Sequence, residues 1–120
     1  MPNLTLEYTR NLPAVDLSAV LADCNRTLAE SGQFSELDIK SRALRVDDFA
    51  IGTAPEARAF VFATFSLLSG RAPEVKRDLS QRLLTVLKAH FPPVPGLVIQ
   101  IAVELQDMDR DSFLKIIAGA

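Results

Sequence analysis

Residues 59–68 read AFVFATFSLL, and residues 73–90 read PEVKRDLSQRLLTVLKAH. The first stretch is almost wholly apolar, which predicts a central strand covered on both faces of a sheet. The second stretch has helical spacing, and Pro73 is suited to its first turn. Its apolar face consists of Val75, Leu79, Leu83, Val86, Leu87 and His90. The sequence PPVPG at 92–96 ends this helix, and LVIQIAVEL at 97–105 predicts a further strand.

The first half of the chain repeats this order of elements. Apolar and polar residues alternate over residues 4–8, which predicts a half-buried strand at the amino end. Residues 16–32 then follow a helical period, with Asp16 as the N-cap and Gly32 as the C-terminal stop. Residues 39–49 predict the second strand. The number of residues between the starts of the two helices equals the number between the starts of the second strand of each half. This equal spacing indicates a structural repeat.

Two β-α-β repeats of this kind predict an α/β (α+β) fold: a four-stranded sheet with two helices on one face. The halves cover about residues 2–50 and 58–106 of one domain over residues 1–120, followed by a tail at 107–120. Asp109 is expected to cap a short helix in that tail. The second sheet face is left bare, and a bare apolar face in so small a subunit predicts self-association or a bound partner.

The composition excludes several classes of protein. Hydrophobic residues make up 48% and charged residues 23%, which are globular values and argue against disorder. A net charge of −2 offers nothing general to nucleic acid or to an anionic membrane. The chain has one cysteine, Cys24, no secretory pattern at its start, and no apolar run near the ~20 residues of a membrane span. A cytoplasmic location is therefore expected.

Conventional catalytic groups are few. His90 is the only histidine and continues a helix face, so it is interpreted as structural. The sequence has no Cys/His cluster with metal-ligand spacing, no phosphate-binding glycine loop and no nucleophile motif. No metal and no cofactor are therefore predicted.

Pro2 is the unusual candidate for a general base. Initiator methionine is normally trimmed before a small second residue, and its loss would leave a secondary amine at the start of a strand. Burial and nearby cations would lower the pKa of that amine toward neutrality. The equivalent position in the second half is Ala59, so only one half would carry the base. The alternative is that a proline at this position is incidental.

Basic residues supply candidate anion sites. Lys40 and Arg42 are two residues apart, so on a strand they share a face. They either defend an exposed edge strand or bind an anion. Arg71 precedes the second helix, and an arginine at a helix entrance favours a carboxylate.

Several segments resemble those of 5-carboxymethyl-2-hydroxymuconate isomerases, in the tautomerase superfamily. They are MPNLTLEYTRNL at 1–12, TLAESGQF at 27–34, IKSRALRVDDF at 39–49 and AFVFATFSLLSGRAPEVKRDLSQRLL at 59–84. Weaker similarity continues to about Asp109. The most specific pieces are Pro2 with its strand, Glu7 and Asn11, the segment Lys40-Ser41-Arg42, and Gly70-Arg71 at the helix entrance.

The resemblance implies a homotrimer with active sites between subunits, and Pro2 as the general base after loss of Met1. It also implies that Arg71 and one of Lys40 and Arg42 bind the carboxylates of the substrate. The family has an arginine where Lys40 stands, and lysine lacks the bidentate fork of arginine. The tail DSFLKIIAGA at 111–120 also departs from the asparagine-rich, histidine-containing tail of the family.

The resulting hypothesis is a cofactor-free isomerase that transfers a proton within a 2-hydroxymuconate-like di- or tricarboxylic acid, most simply 5-carboxymethyl-2-hydroxymuconate. Pro2, Arg42 and Arg71 are the predicted catalytic residues, and Lys40, Arg42 and Arg71 the predicted substrate-binding residues.

Two alternatives remain open on the sequence. The same order of elements builds ferredoxin-like binding and regulatory modules without enzymatic activity, in which Pro2 is incidental. The basic residues Lys40, Arg42 and Arg45 would then contact RNA. Against this, Phe60 and Phe62 lie in an apolar strand without the basic interleaving of a base-stacking surface. The second alternative is a family member with an altered substrate or faded activity.

Overall fold

The computed structural model describes residues 1–119. In chain order the elements are β1 (Asn3–Thr9), α1 (Leu17–Glu30), a 3₁₀ turn (Glu36–Asp38), β2 (Lys40–Val46), β3 (Arg58–Leu68), α2 (Pro73–His90) and β4 (Val98–Met108). The predicted order, strand-helix-strand repeated once, is confirmed.

The four strands form one mixed sheet in the order β2-β1-β3-β4. Within each half the two strands are parallel, β1 to β2 and β3 to β4, because a helix crosses over between them. The halves join through the antiparallel pair β1 and β3 at the centre of the sheet. The first strand of each half, β1 or β3, therefore lies in the interior of the sheet, and β2 and β4 form its edges.

Both helices contribute to one apolar core against one face of the sheet. Their fully buried residues are Val20, Cys24 and Leu28 of α1 and Leu79, Leu83 and Leu87 of α2. These side chains contact a fully buried set from the central strands, Leu4, Leu6, Val61, Ala63, Phe65 and Leu67. Burial raises the pKa of the Cys24 thiol to about 12, so this cysteine is a small apolar core residue.

The helix boundaries agree with the capping signals of the sequence. The Asp16 side chain accepts a hydrogen bond from Ala19 N at 3.1 Å and forms the N-cap of α1. Pro73 is the first residue of α2, where its missing N–H costs no helical hydrogen bond. Gly32 has a φ of +79° just beyond α1, a backbone conformation that favours glycine.

Three predicted elements are wrong in extent or kind. β4 is three residues longer at its carboxyl end than predicted, because it stays paired with β3 to the end of that strand. The second strand ends at Val46 instead of Phe49, because β2 is an edge strand with β1 as its single neighbour and the chain then turns away. As far as residue 119, the tail forms no helix. Asp109 accepts a hydrogen bond from Ser112 Oγ at 2.7 Å and closes one turn, and the chain then becomes irregular. One turn without a packed apolar face is too short to remain helical.

The sheet face opposite the helices is uncovered in the single chain; we call it the open face. Its central strands present Asn3, Thr5 and Glu7 of β1 and Phe60, Phe62, Thr64 and Ser66 of β3. β3 is therefore covered on one face, which corrects the prediction of two covered faces, and the open face is partly polar. Phe60 and Phe62 line a depression of ≈ 660 Å³ there. Within residues 1–119, neither helix is long and apolar enough to cross a membrane.

Candidate active site

Pro2 lies immediately before β1, at one end of the sheet. Its side chain is buried, and its carbonyl oxygen accepts a hydrogen bond from Lys40 N at 3.2 Å. In the register of the sheet, Asn3 pairs with Lys40 on one side and with Ser66 on the other. The beginnings of β1 and β2 therefore meet the end of β3, and the loop that carries Arg71 starts at this same end.

Charged groups surround the amino terminus. Burial lowers the pKa of the Met1 amine, the charges of Lys115, Arg71 and Lys40 lower it further, and the Asp38 carboxylate opposes them. Lys40 Nζ lies 3.5 Å from Met1 Sδ and donates a hydrogen bond to Asp38 O at 3.0 Å. Three cations thus lie close enough to disfavour a protonated amine at this position.

Arg71 is held by backbone and side-chain acceptors. Its Nη1 donates to Leu68 O at 3.2 Å, while its Nε and Nη2 donate to Gln33 Oε1 and Gln33 O at 3.3 and 3.2 Å. The guanidinium lies 4.7 Å from the centre of the Phe34 ring, and Phe34 packs edge-on against Phe65 of the core. This fixed guanidinium makes no ion pair with a carboxylate of residues 1–119.

Lys115 reaches the same end of the sheet from the carboxyl-terminal tail. Its Nζ donates to Asp38 Oδ1 at 2.6 Å, which joins the tail to the 3₁₀ turn. The hydrogen bond from Lys115 is the main cause that lowers the pKa of Asp38, so this carboxylate stays ionised beside the amine.

The predicted site residues therefore do not all lie equally close to the amino terminus. Pro2, Lys40 and Arg71 are brought to one end of the sheet. Arg42 lies two residues further along β2, is exposed, and donates from Nη1 to Asn3 Oδ1 at 2.7 Å on the open face. It is not among the charges that act on the Met1 amine, so its catalytic role stays a prediction.

The sequence analysis did not predict Asp38, Lys115 or Gln33 as residues of this site. The tail departs from the family pattern, but nothing in its residues indicates that Lys115 contacts Asp38, 77 residues earlier in the chain. Gln33 lies in the segment TLAESGQF at 27–34, and its place after the predicted end of the first helix was the only signal that the sequence offered.

His90 takes part in a separate polar cluster. Its Nε2 lies 2.6 Å from Asp23 Oδ2, and Arg26 Nη1 lies 2.6 Å from Asp23 Oδ1, so the cluster links the end of α2 to α1. Within residues 1–119, no three His, Cys, Asp or Glu side chains lie close enough to share a metal ion.

The family model of 5-carboxymethyl-2-hydroxymuconate isomerase matches residues 2–116 of the chain. The chain belongs to this family. A curated 5-carboxymethyl-2-hydroxymuconate Delta-isomerase of Escherichia coli is 26% identical over 110 residues, which are 90% of this chain and 87% of that protein. Family membership makes this chain an isomerase, as the sequence analysis predicted.

Solved structures agree with this family. A 5-carboxymethyl-2-hydroxymuconate isomerase from Deinococcus radiodurans R1 is 30% identical and superposes with a TM-score of 0.88, covering 96% of this chain and 88% of that one. A fused 4-OT, a symmetric trimer, is 15% identical with a TM-score of 0.74, covering 92% and 89%, and shows likeness of fold alone. The predicted tautomerase-like fold class is thereby confirmed.

Proposed function

We propose that this isomerase transfers a proton within a 2-hydroxymuconate-like di- or tricarboxylic acid, with Pro2 as its general base. The observation that carries the proposal is the position of the amino terminus. Pro2 is buried just before β1, and burial together with three nearby cations lowers the pKa of the neighbouring Met1 amine against the opposing charge of Asp38. The E. coli relative, 26% identical, is a 5-carboxymethyl-2-hydroxymuconate Delta-isomerase, which supports 5-carboxymethyl-2-hydroxymuconate as the substrate.

Pro2 becomes a base only after Met1 is removed, because an amide nitrogen has no basic lone pair. Its secondary amine would then stand in the environment that lowers the pKa of the Met1 amine, mainly through burial, with three cations opposing the effect of the Asp38 carboxylate. A lower pKa keeps more of the amine neutral at neutral pH, which is the form that accepts a proton.

The reaction needs no external reagent. The neutral Pro2 amine takes a proton from the dienol substrate and leaves a conjugated dienolate. The resulting ammonium returns the proton to a distant carbon of the same conjugated system, so the double bond moves and the atoms balance. Arg71 and Lys40 supply positive charge where the dienolate and its carboxylates are negative.

We also propose that the subunit assembles as a homotrimer in which the active site is completed at a subunit boundary. The uncovered sheet face and the trimeric fused 4-OT, which shares the fold, support this arrangement. Within such an assembly Arg42, exposed on the open face, would be available to a substrate carboxylate.

The test compares three forms of untagged protein whose amino termini are defined by intact mass: processed chain, chain that retains Met1, and Pro2→Ala. For the processed chain we expect turnover of 5-carboxymethyl-2-hydroxymuconate, with a kcat/KM that rises with pH through a group titrating near neutrality. Pro2→Ala should lose most activity, since its primary amine differs in basicity and position, and retained Met1 should abolish it.

Circular dichroism serves as the control that all three forms are folded. Equal turnover by protein shown to keep Met1 would overturn the amine mechanism. If the processed chain acts on a simpler 2-hydroxymuconate and not on the carboxymethyl compound, the altered-substrate alternative would replace this proposal. Absence of turnover on either would favour faded activity.

A further inference from the structure

Two arginine side chains lie together where β3 ends. Arg71 Nη1 donates to Leu68 O at 3.2 Å, and Arg110 Nε and Nη2 donate to Ser69 O at 3.0 and 2.7 Å. The two acceptors belong to consecutive residues. Burial lowers the pKa of Arg71, and the neighbouring charge of Arg110 lowers it further. Within residues 1–119 neither guanidinium forms an ion pair with a carboxylate.

Both guanidinium groups keep unused donors. A guanidinium has five N–H groups. Arg110 uses two of them on Ser69 O, so the donors that remain lie on Nη1 and Nη2, the pair that binds a carboxylate in bidentate fashion. Arg71 uses one donor each on Nε, Nη1 and Nη2, which leaves one on each terminal nitrogen.

Gly70 allows the backbone to turn between Ser69 and Arg71. Its φ is +115°, a conformation that favours glycine. A Cβ at this position would lie 3.7 Å from Arg110 Nη2, which is an ordinary van der Waals contact, so the backbone conformation and not the nearby guanidinium favours glycine here.

The cationic groups follow the order of the strands in the sheet. Pro2 precedes β1, Arg71 follows β3, and Arg110 follows β4. Because β3 lies between β1 and β4, the loop that carries Arg71 lies between Pro2 and Arg110. A substrate with its reacting carbon at Pro2 and one carboxylate at Arg71 would extend further carboxylates toward Arg110.

We propose that Arg110 binds a second carboxylate of the substrate and determines specificity for polycarboxylates over monocarboxylates. The role rests on the proposed function of the same site. It is carried by the paired guanidinium groups, their free terminal donors and the absence of a carboxylate partner within the described residues.

The first test is calorimetric titration of the full chain with two saturated acids, propane-1,2,3-tricarboxylate and butyrate, at low ionic strength. Arg110→Gln should weaken binding of the tricarboxylate about tenfold or more, the range for a charge-assisted hydrogen bond, and leave butyrate within about twofold. Arg71→Ala should weaken both acids. Arg45→Gln is the matched control, because Arg45 is exposed at the other end of β2 and paired with Asp47.

The second test is kinetic. Arg110→Gln should raise KM for the tricarboxylate dienol with little change in kcat, and should leave a monocarboxylate enol unaffected, because a remote contact of this kind is made equally in the ground and transition states. Arg110→Lys, which keeps the charge and loses the fork, should fall between wild type and Arg110→Gln.

Equal effects of Arg110→Gln on both acids, or no effect on either, would overturn the proposal and leave Arg110 as a structural tie to Ser69. Failure of the base gives a different result. Because the two test acids are saturated, their binding needs no base, so a chain without turnover that still shows the selective loss would count against the proposed isomerase activity and support the role of Arg110.

Discussion

At the scale of single residues, the ion pair between Lys115 and Asp38 sets opposing charges beside the amino terminus. The Lys115 charge lowers the pKa of the Met1 amine, and the Asp38 charge raises it. Lys115→Gln should therefore raise the pKa of the Pro2 amine in the processed chain and move the ascending limb of kcat/KM to higher pH. Asp38→Asn should move the limb to lower pH. Kinetics over a pH series measure both.

Lys88→Gln is the control for this pair, because Lys88 is exposed in the last turn of α2. The contrary outcomes are that the ascending limbs of kcat/KM for Lys115→Gln and Asp38→Asn are displaced in the same pH direction, or are not displaced at all. Either result would show that the Lys115–Asp38 pair does not set the pKa of the catalytic amine.

The residues that could be predicted are those close in sequence to a local signal. Pro2 follows the initiator, Lys40 lies in a basic strand, and Arg71 precedes a helix, so each was recognisable by position. Lys115 and Arg110 come from a tail without periodicity, and their partners lie 77 and 41 residues away. Contacts between residues so far apart in the chain depend on how the two halves of the sheet pack together. A local sequence pattern does not predict that packing.

At the scale of elements, the helices were predicted closely because their signals agree. The caps and the apolar spacing of α1 and α2 all indicate the same boundaries. β2 was harder, since an edge strand has an exposed side and its charged residues continue past the last paired residue. The tail helix was predicted from Asp109 alone, and a cap without an apolar face to bury does not sustain a helix.

The contact between the two helices gives a prediction on acid stability. The hydrogen bond from His90, and then that from Arg26, lowers the pKa of Asp23 below 3.8. A carboxyl whose pKa is lower in the folded state stabilises the fold above its unfolded pKa and loses that contribution as pH falls through the folded pKa. When the pH falls from about 5 to about 3, the urea concentration at the midpoint of unfolding should therefore fall further for wild type than for Asp23→Asn.

His90→Gln supplies the second variant for this test. It removes the first cause of the lowered pKa, so the loss of midpoint on acidification should also shrink. An acid response identical to wild type in both variants would show that the Asp23 cluster does not couple helix packing to pH.

At the scale of the whole molecule, the open face leaves apolar side chains uncovered in a single subunit. Phe60, Phe62 and Ile51 line the depression of ≈ 660 Å³ on this face, and Val98 of the adjoining edge strand is 58% exposed. The sequence predicted a bare apolar face. The observed face mixes this apolar region with Thr5, Glu7 and other polar residues, because only alternate positions of β1 and β3 enter the core.

Self-association would bury that apolar region, and we expect light scattering at micromolar concentration to give three times the subunit mass of 13.1 kDa. Phe62→Lys places an unpaired charge in the region that would be buried, so the mass should fall toward that of one subunit while circular dichroism stays that of a folded chain. Lys88→Glu, a charge change on the exposed surface of α2, should leave the mass unchanged. Because the proposed site lies at a subunit boundary, Phe62→Lys should also lower kcat/KM, and activity should recover as protein concentration restores the assembly. A wild-type chain that stays monomeric and fully active over this range would refute both the trimer and a site completed between subunits.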